Sequence, residues 1–95
     1  MAESNSSAAV LNAIKARAIQ TWGEESWSKE IIKAYVELEQ RQGIEAEKAS
    51  YVNRRTQILR AFETGSCRLD TALLLAKAVG CQFQMVCAEV QVTTF

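Results

Sequence analysis

Apolar residues recur along most of this chain three and four positions apart, the period of an α-helix, and shift to every second position only near the C-terminal end. In SAAVLNAIKARAIQTW, which starts at Ser7, residues Val10, Leu11, Ile14, Ala18 and Ile19 fall near one face. They predict a helix over 8–21, with Ser6 or Ser7 as its cap and Gly23 as its stop. The segment EESWSKEIIKAYVELEQRQG carries the pattern more strongly, through Trp27, Ile31, Ile32, Tyr35 and Leu38, with acids near its start, Arg41 near its end and Gly43 just past it. A short helix over 45–51 follows, with Ile44, Ala46, Ala49 and Val52 inward. Asn53 then reads as a turn residue, and a second short helix over 55–64 buries Ile58, Leu59 and Phe62 and stops at Gly65. LDTALLLAKAVG is the fifth helix, with Leu69, Leu73, Ala76 and Val79 along one side and Asp70 favouring its start.

The tail CQFQMVCAEVQVTTF alternates through Gln82, Phe83, Gln84 and Met85, the signature of a strand. A lone strand leaves its N–H and C=O groups without partners and is not stable in water. No earlier segment reads as a second strand, so the expectation is a homodimer in which each protomer contributes one strand to a shared two-stranded sheet, through Phe83, Met85, Val86, Cys87 and Val90. A loosely packed or disordered tail is the alternative.

Ninety-five residues, 48% hydrophobic and 23% charged, make one folding unit with one modest core. Residues 1–28 read as an N-terminal extension carrying an extra helix and 29–95 as the principal domain. The net charge of zero weighs against nonspecific attraction to a polyanion. Its distribution is uneven, however: from Lys48 to Arg60 there are four cations (Lys48, Arg54, Arg55, Arg60) and no acid, whereas the first half carries Glu24, Glu25, Glu30, Glu37 and Glu39. Three cysteines without CxxC spacing, in a chain with no histidine, favour reduced packing residues over a zinc site. No apolar run approaches the roughly 20 residues of a membrane span, and MAESNSSAAV lacks the basic start and apolar middle of a signal peptide, so a cytoplasmic location is expected. Catalysis is not expected either, since neither a histidine base, a Gly-rich phosphate loop nor a paired-carboxylate site is present, and no cofactor motif appears. Trp22 and Trp27 read as core packing around the first turn.

Two short helices joined near Asn53 within a five-helix pattern form the outline of a helix-turn-helix, whose second helix projects its N-terminal side chains into a DNA major groove. Those side chains are Arg55, Thr56, Gln57 and, one turn on, Arg60. Arginine bonds both acceptors of guanine, glutamine bonds the edge of adenine, and threonine serves a phosphate or a thymine methyl. Lys48, Arg54 and Arg68 are the candidate phosphate contacts. A solvated polar helix face with no ligand is the plainer alternative.

ILRAFETGSCRLDTALLLAKAVGCQF resembles the end of the recognition helix, the loop and the following helix of the lambda-repressor and Cro-like helix-turn-helix family, through Glu63, Gly65, Leu69, Thr71, Leu73, the run from Leu75 to Ala78 and Gly80. The tail CQFQMVCAEV resembles the C-terminal strand of DNA-binding antitoxins paired with kinase-type toxins. The first short helix departs from the family pattern, with Glu45, Lys48 and Ala49 where Gln and a Leu-Ala pair are usual, and Asn53 stands in place of the turn glycine. The resemblance implies a mainly α, five-helix domain with a C-terminal strand paired between protomers. It further implies double-stranded DNA as partner, repression of transcription as function, and DNA-facing roles for Arg55, Thr56, Gln57 and Arg60. An antitoxin or adaptor that chiefly holds a cognate protein partner such as a toxin is the second reading.

Overall fold

The computed structural model describes residues 7–43, 49–86 and 92–95. Within them the chain forms α1 (Ser7–Trp22), α2 (Trp27–Gln42), α3 (Tyr51–Thr64), α4 (Leu69–Ala78), β1 (Gln84–Val86) and β2 (Val92–Thr94). The protein is mainly α, and no helix among the described residues is long and apolar enough to cross a membrane.

Each helix sends at least one side chain to a single core, in which Leu11, Ile31, Ile32, Ile58 and Leu75 are fully buried. Withdrawing each such side chain from water contributes about 1.5–3 kcal/mol before the entropy of ordering is set against it. The N-terminal helix belongs to this core: α1 contributes Leu11, Ile14 and Ala18 and packs on α2, α3 and α4. At one end Trp27 meets Phe62 edge to face, with centroids 5.2 Å apart, and Lys15 Nζ lies 5.3 Å from the Trp27 ring centroid, which joins α1, α2 and α3. At the other end Arg17 Nε donates to the carbonyl of Val79, just past α4, at 3.3 Å.

Gly65 ends α3 in the left-handed region, at φ +72°, and a Cβ there would lie 2.9 Å from the Cβ of Ala8. The missing side chain thus serves both the reversal and the close approach of α1. Ser7 reinforces that approach, since its hydroxyl donates to the carbonyl of Gly65 at 2.8 Å.

Four sequence expectations need correction. Four helices, not five, are found among the described residues; of the short helix expected over 45–51, residues 45–48 lie outside them, Ser50 is extended (φ −142°, ψ 158°) and Tyr51 already belongs to α3. Asn53 makes no turn. Ser50 accepts the Asn53 N–H on its Oγ at 3.1 Å, a serine N-cap that starts the helix earlier than an asparagine turn would allow. In α4 the buried side chains are Thr71, Ala72, Leu75 and Ala76, followed by Val79 just past its end; of the expected stripe Ala76 and Val79 are buried, Leu73 is half-buried, and Leu69 is 71% exposed at the first position.

The fourth correction concerns the tail. Its strand finds a partner in the same chain, because β1 and β2 form an antiparallel hairpin with Gln84 opposite Thr94, Met85 opposite Thr93 and Val86 opposite Val92. Phe95 extends the pairing through its N–H, 2.9 Å from the Phe83 carbonyl oxygen. The β-branched run ending VTTF is therefore a second strand, which reading the whole tail as one element concealed. Of the residues expected to join two protomers, Met85 and Val86 lie in β1, Cys87 and Val90 lie outside the described residues, and Phe83 packs partly buried against the helical core.

Candidate nucleic-acid interface

The sequence-assigned reading helix is α3, and its orientation follows from which side chains are pinned beneath it. Ile58 and Ala61 are buried, and Leu59 and Phe62 are partly buried against the core. Successive residues turn by about 100° around a helix, so Val52, Thr56, Arg60 and Glu63 occupy the arc opposite Ile58 and Ala61. All four are exposed. Arg55 flanks that arc on one side and Gln57 on the other, both exposed.

Arg54 is placed differently from its neighbour. Its Nε donates to Glu39 Oε1 of α2 at 2.9 Å, with the two side chains only 15% and 10% exposed. A buried charge requires a partner in place, so this pair fixes both the rotation of α3 and its seat on α2. Arg54 also reaches Gln57, Nη1 to Oε1, at 3.5 Å. The guanidinium expected on a phosphate thus spans the joint between two helices.

Nearby, Gln40 Nε2 donates to the Ala49 carbonyl at 2.8 Å and ties α2 to the segment that leads into α3. The hydroxyl of Tyr35 shares this polar joint. Burial pushes its ionisation above the ordinary tyrosine value and the Glu39 carboxylate adds to the shift, while its hydrogen bond with Thr71 and the charge of Arg54 act against it. These contacts leave no buried side-chain nitrogen or oxygen without a partner among the described residues.

Two shallow grooves border the helix. One, lined by Tyr35, Glu39, Arg54, Gln57, Arg68 and Asp70 among others, encloses about 280 Å³. The second runs between α3 and the loop before α4, and Gln57, Arg60, Cys67 and Arg68 are part of its wall. Gln57 and Arg68 line both, so the structure brings Gln57, Arg60 and Arg68 to one side of α3 and leaves Arg55 on the other. Arg68 Nε lies 4.0 Å from Asp70 Oδ1 across two exposed side chains, a pairing that solvent screens. Lys48 lies outside the described residues. Cys67 is a half-buried thiol whose ionisation burial pushes up, which suits packing and not nucleophilic attack.

Two features here were missed in the sequence. Glu39 follows Ile32, Tyr35 and Val36 at helical spacing and so falls on the inward face of α2, a position that calls for a cation in reach. Val52, read as inward, is 82% exposed; the signal was Ser50, whose side chain caps a helix starting one residue later. Comparison with family models, with curated proteins and with solved structures found no match to this chain.

Proposed function

We propose that this chain is a sequence-specific binder of double-stranded DNA of the lambda-repressor and Cro-like kind, a dimeric repressor that occupies an inverted repeat with one α3 in each major groove. The observation that carries this reading is the setting of α3. Its apolar side and Arg54 are held in the subunit, while Arg55, Thr56, Gln57 and Arg60 stay exposed on one helix. Arginine and glutamine there match the acceptor and donor pattern of guanine and adenine edges. Arg68, which lines the same groove as Gln57 and Arg60, is the cation this reading assigns to a phosphate. With net charge zero, affinity rests on these few cations, and each phosphate contact adds roughly one unit to the slope of log affinity against log salt.

Selection of bound fragments from a random DNA pool tests the proposal. A motif with two half-sites about one helical turn apart is expected. Arg55→Ala and Gln57→Ala should each lose about 1–3 kcal/mol of discrimination at one base pair and keep the fold. Failure to enrich any motif, or an unchanged preference in both variants, refutes it.

A second reading, an antitoxin or adaptor holding a cognate protein, is favoured by the exposed acidic turn between α1 and α2 at Glu24 and Glu25. Binding to such a partner should tolerate salt that abolishes binding to DNA.

A further inference from the structure

Among the described residues Val52 is the most exposed of the large hydrophobic side chains, at 82%. A lone apolar side chain on a surface needs no explanation by itself, but three features of its placement give this one a direction. It is the second residue of α3, and helical side chains lean toward the N-terminus, so it stands at the leading end of the helix. It cannot rotate inward, because the Ser50 cap fixes where the helix starts and the buried Arg54–Glu39 pair, two residues on, holds the opposite side against α2. Finally, Thr56 follows one turn later on the same outward stripe and is also exposed. Two methyl-bearing side chains, Val52 and Thr56, thus follow one another along a single exposed stripe, with Arg55 on one flank and Gln57 on the other.

In the major groove the bases present hydrogen-bonding atoms with one apolar exception, the 5-methyl group of thymine. A valine pressed on any other base edge would take a donor or acceptor out of water and offer nothing in return. We propose that Val52 is a specificity-determining residue that selects thymine at one position of the half-site through its 5-methyl group. This rests on the DNA-binding reading of α3 and names one base that reading leaves open.

The test uses the full chain and the motif obtained by selection, with each thymine of a half-site replaced in turn by deoxyuridine, which lacks only the methyl group. For the wild-type protein, one replacement should weaken binding about fourfold, the equivalent of one buried methyl-sized group. For Val52→Ala that replacement should have little effect, while penalties elsewhere in the site persist. The variant should keep its thermal midpoint, since the side chain it removes is already in water. A silent uridine scan in the wild type, or an undiminished penalty in Val52→Ala, overturns the role of Val52 and leaves DNA binding standing. Failure to enrich any motif overturns both.

Discussion

Arg54 and Arg55 are neighbours with the same side chain and opposite environments. One is paired with Glu39 in a half-dry joint between α2 and α3, and the other is exposed. A chain read for its charges shows a run of cations from Lys48 to Arg60. It does not show that an acid fifteen residues earlier comes within 2.9 Å of one of them, because that depends on how two helices cross. The candidate site was therefore legible as a patch and not as individual roles: Arg55, Gln57 and Arg60 are exposed, whereas Arg54 serves as a clamp. Removing one member of such a pair strands the other charge. Arg54→Met alone should lower unfolding stability by about 3 kcal/mol, while Glu39→Leu with Arg54→Met should return close to wild type. Denaturant titration of the three chains decides the matter, and a single variant as stable as wild type would show that the pair holds nothing together.

At the scale of elements, helix ends were easier to read than helix starts. A glycine past an apolar stripe signals a left-handed stop, and Gly23, Gly43, Gly65 and Gly80 all have positive φ. Starts depend on which polar residue wins the cap: Asn53 was read as a turn, whereas Ser50, three residues earlier, caps α3. The phase of α4 slipped for a related reason: the run Leu73, Leu74, Leu75 contains no polar residue to fix the inward direction, and contact with the other helices chose Leu75. Gly65 separates conformation from contact. Gly23 also has positive φ, +92°, but open space around it, whereas Gly65 has Ala8 against it at 2.9 Å. Gly23→Ala should cost about 1 kcal/mol, from the backbone alone. Gly65→Ala should cost about 3 kcal/mol, because α1 must also shift. Equal losses in thermal or chemical unfolding would mean that the approach of α1 to the end of α3 adds nothing.

For the whole molecule, the tail shows how a period-two pattern identifies strands without saying which strand pairs with which. β1 and β2 satisfy each other along their inner edges, so a second copy is not needed to complete the ladder. Their outer edges are another matter: the sheet has two strands among the described residues, β2 is exposed along its length, and Val92 and Phe95 are each 57% exposed. A two-stranded hairpin is marginal in water, and open apolar edges invite another strand. The proposed dimer is therefore best built by setting two hairpins side by side as a four-stranded sheet, in place of one strand from each copy. Because Phe83 packs on the helical core, a chain truncated after Phe83 retains that contact and loses only the hairpin. The full chain should sediment as a dimer. The truncated chain should sediment as a monomer with a thermal midpoint within a few degrees of the original, and should lose far more affinity for a two-half-site DNA than for a single half-site. A truncated chain that dimerises as well as the full one would remove the hairpin from the interface and move the contact between copies to the helical body.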